Sequence, residues 1–470
     1  MQLNQNNAAT APDFNNKRIG IWGYGITGAA AVDYFKSHHV HSIMVLNDTP
    51  LPAHTYQALQ AQNISVCQPD DKTIFFEQSD YILKSPGIAV HDVSAECRAK
   101  IISEFDLFAC LWTKPIVAIT GTVGKTTVTS VLTQLLCNLG KQAVAGGNIG
   151  TPMLNLLAQQ SSSDYAIIEL SSFHTEHGIS QPPDIVIITN VYPNHLDRHG
   201  SLENYRNAKL ELLYAQKKSG RALLPLSLAQ HINKRSAHQL YAWFCLTQPS
   251  ISDRTYCSAD DTFYYNEHDN IICEHKQQKT VIGNAPLTMI TFRENILILI
   301  AALHQLGIPM HAEAWETITV PAHRLEPVAT HNSIVFYNDS KSTIPAATLA
   351  ALEQLSPHKP VVFLGGVSKG VNRESFIKDL AGRIRMALCF GKEAEQLTEW
   401  CTQHGIISYA DATLDEAYHR YLHAHAIAND RVLFSPAGAS YDLFKNYVER
   451  GEHFVRLVHE AIASCSDLAR

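Results

Sequence analysis

Residues Ala118–Thr127 read Ala-Ile-Thr-Gly-Thr-Val-Gly-Lys-Thr-Thr, and they constrain the fold more than any other stretch of this chain. The apolar run Pro115–Ile119 leads into them as a buried parallel strand would. Behind them Val128, Val131, Leu132, Leu135, Leu136 and Leu139 form one helical face, closed by Gly140. Strand, glycine-rich turn, Lys-Thr and helix together present backbone N–H groups and a helix N-terminus to a phosphate. A full nucleotide loop would have glycine where Ile119 stands, so this is a shortened relative, Gly121-x-x-Gly124-Lys125-Thr126. By spelling alone it could be a surface turn; its flanking elements favour phosphate binding through Gly121, Thr122, Gly124, Lys125, Thr126 and Thr127. Lys125 would reach the β- and γ-phosphates and the Thr126 hydroxyl would hold Mg²⁺. The expected cofactor is ATP.

At 470 residues the chain exceeds one ordinary core, and about three domains are expected. A hydrophobic content of 46% with 17% charged residues describes a globular protein, not a disordered or fibrous one. With 37 basic against 44 acidic residues the formal charge is −7, which argues against a large nucleic-acid footprint. The ten cysteines include no pair at metal-ligand spacing and read as reduced thiols. Met1–Asn16 is polar, and the longest apolar run, Ile296–Leu303, falls far short of the roughly 18 residues of a membrane span. No nucleic acid and no membrane are expected as partners, and the cytoplasm is the expected compartment.

Upstream, Arg18–Trp22 reads as a first strand, followed by Gly23-Tyr24-Gly25-Ile26-Thr27-Gly28 and a helix over Ala29–Ser37. The next strand, Ser42–Leu46, ends at Asn47-Asp48, where a dinucleotide-binding unit keeps its ribose-binding acid. Taken alone this pattern says NAD or FAD. It serves any diphosphate equally, UDP included, because a helix N-terminus reads charge and not the base. A further strand over Ser79–Lys84 leads to Ser85-Pro86-Gly87-Ile88, an ordinary β-to-α corner or a ligand turn.

Beyond the phosphate loop, Gln142–Ala145 predicts a strand that opens into Gly146-Gly147-Asn148-Ile149-Gly150. Asp164–Leu170 delivers Glu169 to a strand end beside that loop, where Mg²⁺ would want a hard oxygen; elsewhere Glu169 would be a helix-capping acid. The strand Asp184–Val191 runs into Asn190–His199, a polar cluster or a plain surface loop. The helix over Ser201–Tyr214 carries Lys209, which its surroundings in sequence would make a solvated lysine. Tyr241–Ile282 alternates aromatic and polar residues, with Asp269-Asn270 at a hairpin tip, and predicts a small antiparallel appendage. An apolar helix over Glu294–Leu306, capped by Gly307, closes this region. From Val320 the pattern restarts, with strands over Ser333–Tyr337, Pro360–Leu364, Met386–Phe390, Ile406–Ala410 and Arg431–Phe434. The expected fold is α/β in three domains: a Rossmann-like unit over 1–113, a central P-loop-type ATP-binding unit over 114–319 and a C-terminal Rossmann-like unit over 320–470.

These residues together resemble the Mur ligases, ATP-dependent enzymes that build the peptide stem of bacterial peptidoglycan. The resemblance rests on Gly25-Ile26-Thr27-Gly28, Ser85-Pro86-Gly87-Ile88-Ala89, Gly147-Asn148-Ile149-Gly150, Glu169-Leu170-Ser171-Ser172-Phe173, Tyr205-Arg206-x-Ala208-Lys209 and Asn338-Asp339-Ser340-Lys341. The ending, Ser435-Pro436-Ala437-x-Ala439-Ser440 with Phe444-Lys445-Asn446 and Glu449-Arg450-Gly451, resembles the members that add glutamate to UDP-N-acetylmuramoyl-L-alanine.

The resemblance implies a ligase that uses ATP, two Mg²⁺ ions, UDP-N-acetylmuramoyl-L-alanine and D-glutamate, and that works as a monomer. It implies catalytic roles for Lys125, His195, Lys209 and Lys341, with Thr126, Glu169, His195 and Lys209 at the metals. Lys209 would be carbamylated by CO₂, which replaces a cation with an oxygen-bearing anion. Asn295, Arg324 and Asp339 would join the phosphate loop on ATP. Gly25, Ile26, Thr27, Asp48, Gly87, Asn148 and His195 would hold the UDP substrate. Thr343, Lys369, Ser440, Tyr441 and Tyr447 would hold glutamate. Two departures from the family pattern stand out: Val123 where the phosphate loop has Asn, and Glu294-Asn295-x-x-Ile298 where it has His-Asn-x-x-Asn. Three other readings remain open at this level. One is a sibling ligase for L-glutamate or another amino acid, one a Rossmann NAD-dependent oxidoreductase, and one a non-catalytic nucleotide-binding relative.

Overall fold

Apolar runs punctuated by glycine-rich turns become strands of three sheets in the computed structural model, which describes residues 12–90, 93–217, 219–232, 240–253, 255, 260–284 and 292–467. The first sheet comprises β1 (Arg18–Trp22), β2 (Ser42–Leu46), β3 (Ser65–Cys67), β4 (Tyr81–Lys84) and β5 (Ile101–Ser103). Its order is β3-β2-β1-β4-β5 and every pairing is parallel, the Rossmann-like arrangement expected. The helix after β1 begins at Ile26, earlier than the expected Ala29, so Thr27 lies in its first turn.

The central sheet comprises β6 (Ile116–Thr120), β7 (Ala143–Gly147), β8 (Tyr165–Glu169), β9 (Ile185–Ile188), β10 (Arg221–Pro225), β11 (Leu240–Phe244), β12 (Asp261–Tyr265), β13 (Ile271–His275) and β14 (Gln278–Gly283). Their order is β14-β13-β12-β11-β10-β9-β6-β8-β7. All residues of β6 are buried, as a strand covered on both faces by helices must be. The expected antiparallel appendage is corrected here. β11 pairs parallel with β10 and β12 parallel with β11; only β13 and β14 turn back. Trp243, Phe244, Phe263 and Tyr264 are buried, so what reads as alternation is an extension of the sheet, with the exposed strand β14 at its edge. The hairpin at Asp269-Asn270 is present, with Asp269 at φ +58°.

The third sheet comprises β15 (Glu326–His331), β16 (Ile334–Asn338), β17 (Val361–Gly365), β18 (Met386–Phe390), β19 (Ser408–Asp411) and β20 (Arg431–Phe434), in the order β15-β16-β20-β17-β18-β19. β16 to β20 are parallel, while β15 is an antiparallel edge strand absent from the sequence reading. Its residues are all half-buried or exposed, a pattern too weak to separate from a loop by hydrophobicity. The fold class is thus α/β with three parallel-rich sheets.

The chain divides into two compact units, within the bounds Met1–Asn190, Arg206–Asn284 and Leu297–Ile318 for the first and Val191–Tyr205, Ala285–Ile296 and Thr319–Arg470 for the second. Among the described residues no helix is long and apolar enough to cross a membrane. Within the first unit Glu104 reaches the start of helix Met153–Leu156, where its Oε1 accepts the Leu154 N–H at 3.3 Å. Burial lifts this carboxyl from its ordinary 4.5 to about 7, against the opposing pull of the Leu154 and Met153 N–H groups. The folded value exceeds the unfolded one, so the folded chain keeps the proton across this window and stability falls as pH rises through it. Glu104→Gln keeps the acceptor and removes the charge. Urea unfolding should find the variant equal to wild type near about pH 4 and up to about 3 kcal/mol more stable above about pH 7.

Candidate active site

The phosphate loop follows β6, and its geometry depends on glycine at two positions. Gly121 has φ +143°, and a Cβ there would stand 2.0 Å from Thr189 Oγ1. Gly124, at φ +84°, turns the chain into helix Lys125–Asn138, whose first-turn N–H groups point along the helix axis at the loop. The position of Val123 is held from outside the motif. Asn190 Oδ1 accepts the Val123 N–H at 2.9 Å, and Asn190 Nδ2 donates to the Val123 carbonyl at 3.1 Å. The Thr189 hydroxyl donates to the same carbonyl at 2.6 Å, and the Thr122 N–H donates to the Asn190 carbonyl at 3.0 Å. The side chain expected at position 123 is missing, but the loop backbone is clamped by Thr189-Asn190 after β9. Sequence reasoning left these two unassigned; the available signal was a polar pair just past a strand's carboxyl end.

Lys125 is half-buried and its Nζ donates to the Thr122 carbonyl at 3.0 Å, curled onto the loop. Thr126 follows it, half-buried in the helix's first turn, and Thr127 is buried. Glu169 ends β8 and is 1% exposed. Its Oε1 accepts Asn148 Nδ2 at 2.9 Å. Its Oε2 is buried with no hydrogen-bond partner among the described residues, an arrangement that costs free energy unless a cation takes that oxygen. Gly147 permits the approach: at φ +98°, its Cβ would meet the Glu169 carbonyl at 2.3 Å.

Lys209 overturns the reading of a solvated helix residue. It is 1% exposed on helix Leu202–Ala215, and its Nζ donates to the Gly121 carbonyl at 2.7 Å. Burial pushes the amine well below the ordinary lysine range, Lys125 adds to that push and Glu169 opposes it. The first unit therefore gathers Lys125, Thr126, Glu169, Asn148 and Lys209 on one carboxyl edge of the central sheet. His174, which sequence reasoning did not single out, shares a 2.7 Å contact with Ser171 Oγ through Nδ1. Burial first, then Lys84 and Lys125, holds its imidazole down to about 3. It stays neutral and serves to cap the turn after Glu169.

At the first sheet, Gly28 lets the helix approach β1, since a Cβ would lie 2.1 Å from the Gly23 carbonyl. Gly25 and Ile26 are exposed at that helix start and Thr27 is half-buried. Asp48 Oδ1 accepts Trp22 Nε1 at 3.0 Å. The exposed Gly87 lies in a turn held by Lys84, whose Nζ donates to the Ser85 carbonyl at 3.1 Å and the Ile88 carbonyl at 2.9 Å.

In the second unit Asp339 follows β16 and is buried. Its Oδ2 accepts the Ser342 and Ser435 hydroxyls at 2.5 and 2.7 Å, and its Oδ1 accepts the Leu325 N–H at 3.1 Å. Burial raises this carboxyl to about 6, although those hydrogen bonds and Arg324 pull it down. Its oxygens hold the two turns that carry Arg324 and Ser440. Lys341 Nζ lies 3.7 Å from the Tyr447 ring centroid. Arg450, fully buried, donates to the Gly438 carbonyl at 2.9 Å and the Ser340 carbonyl at 2.8 Å, fixing the ending motif against the Asp339 turn. Ser440 is buried, Thr343 half-buried and Tyr441 72% exposed. Lys369 adopts φ +52° ahead of Gly370. His195, at φ +53°, caps the short helix Leu196–His199, and its N–H donates to Asn194 Oδ1 at 3.0 Å. Asn295 is 2% exposed, and its Oδ1 has no hydrogen-bond partner among the described residues.

Residues 119–303 match the Mur ligase middle domain. The UDP-N-acetylmuramoylalanine–D-glutamate ligase of Desulfotalea psychrophila is 32% identical over 457 residues, covering 94% of this chain and 95% of that protein. The enzyme of the same name from Protochlamydia amoebophila is 30% identical, covering 95% and 98%. Among solved structures, a pseudomurein peptide ligase type C from Methanothermus fervidus aligns with a TM-score of 0.58 at 16% identity, over 95% of this chain and 100% of that one. MurF ligase from Thermotoga maritima, in complex with ADP, aligns with a TM-score of 0.57 at 16% identity, over 90% and 95%. The two solved structures share the fold, and the sequence identity runs through all three sheets, so the chain belongs to the Mur ligase family.

Proposed function

We propose that this protein joins D-glutamate to UDP-N-acetylmuramoyl-L-alanine at the expense of ATP, a step of peptidoglycan precursor synthesis. The observation that carries the reading is the buried Lys209 amine bonded to the phosphate loop, together with a buried Glu169 oxygen that has no hydrogen-bond partner among the described residues. The names of the relatives supply the substrates.

A carboxylate does not condense with an amine unaided, because its oxygen is a poor leaving group. In this reading the L-alanyl carboxylate takes the γ-phosphoryl group of ATP to give an acyl phosphate. The glutamate amine then attacks the acyl carbon, and phosphate leaves as the C–N bond forms. Lys125 and the loop N–H groups would hold the transferred phosphate, and Arg324, Lys341, Asp339 and Asn295 would act on ATP. Thr126, Glu169, His195 and a carbamylated Lys209 are the residues that would hold two Mg²⁺ ions, which supply charge neutralisation at the crowded phosphate oxygens. Burial pushes the Lys209 amine well below the ordinary lysine range, toward the neutral form that attack on CO₂ requires. Gly25, Ile26, Thr27, Asp48, Gly87 and Asn148 would hold the UDP substrate. Lys369 would pair with the glutamate side chain, alongside Thr343, Ser440, Tyr441 and Tyr447. The reading assigns these tasks to regions 1–113, 114–319 and 320–470 in turn, and takes the protein as a cytoplasmic monomer.

The test is phosphate release from ATP with UDP-N-acetylmuramoyl-L-alanine, comparing D-glutamate, L-glutamate and other amino acids. Release should require both substrates and favour D-glutamate. Release indifferent to glutamate would sink the reading, and release driven by another amino acid would point to a sibling ligase.

A further inference from the structure

The extension of the central sheet carries a side-chain cluster to which the proposed function assigns no role. On β12 and β13, Phe263 pairs with Cys273, so Asp261 and His275, each two residues along, stand on the same face. Helix Arg293–Gln305 lays its last turn on that face. The His304 ring meets Phe263 edge-on with centroids 5.6 Å apart, and Gln305 Nε2 donates to Asp261 Oδ2 at 2.7 Å. An Asp261 oxygen, Cys273 Sγ and a His304 ring nitrogen consequently lie within 4.8 Å of one another. Cys273 Sγ is 3.8 Å from His304 Nε2, and His275 Nδ1 is 2.8 Å from Asp261 Oδ1.

We propose that Asp261, Cys273 and His304, completed by His275, bind a divalent cation of the zinc class, which ties the end of this helix to the extended sheet. One thiolate, one carboxylate and two imidazoles are the donor types a tetrahedral Zn²⁺ site uses, whereas Mg²⁺ takes oxygen ligands only. Metal–sulfur and metal–nitrogen bonds of about 2.3 and 2.0 Å at a tetrahedral angle place the two donor atoms about 3.5 Å apart. The observed 3.8 Å is within a few tenths of that. The charges also balance: a thiolate and a carboxylate offset a divalent cation while both imidazoles stay neutral, which suits a partly buried site. Binding breaks the Cys273 S–H bond, forms a sulfur–metal bond and releases the proton to solvent. Cys273 is buried while His304 is exposed, so the ion has an entry path, and Gln305 orients the carboxylate from behind.

Cobalt(II) titration of the chelator-treated, full-length protein tests this. A thiolate-to-cobalt charge-transfer band should grow in the near ultraviolet, saturate at about one ion per chain and disappear on adding Zn²⁺. Excess Mg²⁺ should leave the band intact, because the residues proposed for Mg²⁺ include no sulfur. In Cys273→Ser the band should be lost, and in His304→Ala, at an exposed position that tolerates change, cobalt affinity should fall about 100-fold or more. Absence of the band in wild type, its persistence in Cys273→Ser, or unchanged affinity in His304→Ala overturns the site.

Discussion

Lys209→Ala is expected to lower turnover by about 10³-fold or more while leaving the fold intact. The amine is buried and bonded to the Gly121 carbonyl, so it is placed on the phosphate loop and not in solvent. Lysine is an expensive residue to bury, since its side chain loses both hydration and rotamer freedom. Alanine carries neither cost and suits a helix interior, so thermal unfolding should shift by a few degrees at most. Activity should collapse, because the oxygen-bearing carbamate proposed at this position vanishes with the amine. Two further measurements separate that role from a packing role. A short-chain carboxylic acid should restore part of the turnover by placing a carboxylate in the vacated space, and depleting CO₂ should slow the wild-type enzyme. Near-normal turnover of Lys209→Ala would refute the metal-site role outright.

Asn190→Ala should raise the KM for ATP by about 100-fold, although Asn190 belongs to no phosphate motif. Its carboxamide closes two hydrogen bonds on the Val123 backbone, one to the N–H and one to the carbonyl. Removing it leaves the Val123 N–H unpaired, at about 1–3 kcal/mol, leaves the Val123 carbonyl to Thr189 alone, and frees the loop to leave its phosphate-binding shape. Turnover at saturating ATP should fall much less, because the chemistry lies with other residues. The paired control is Val123→Asn, which restores the family's side chain. If Asn190 already holds the backbone, this variant should change the KM little. An unchanged KM in Asn190→Ala would show that Thr189 and the glycines hold the loop unaided.

Different parts of the molecule were legible in sequence to different degrees. The strands Arg18–Trp22, Ser42–Leu46, Met386–Phe390 and Arg431–Phe434 have the bounds that the apolar runs predict, because each run is short and ends at a turn residue. The phosphate loop was legible for the same local reason. The 241–282 region was read as separate because β12 and β13 do form a hairpin. That β11 and β12 join β10 in parallel depends on which backbone edge is available, and no residue within them encodes it. β15 escaped notice because an edge strand need not bury a full face.

By itself the sequence determined the α/β class, the glycine-dependent turns and the identity of the groups offered at strand ends. These follow from local sterics and hydrophobic period, which a short window contains. Tertiary structure alone decided what those groups meet. Asn190 grips Val123 across 67 residues, and Lys209 reaches Gly121 across 88. Cys273 and His304, at no recognisable ligand spacing, are neighbours only because a helix folds back onto the sheet. Burial is a property of the assembled packing, and it set an ordinary helix lysine on a phosphate loop with its amine pushed well below the usual lysine range.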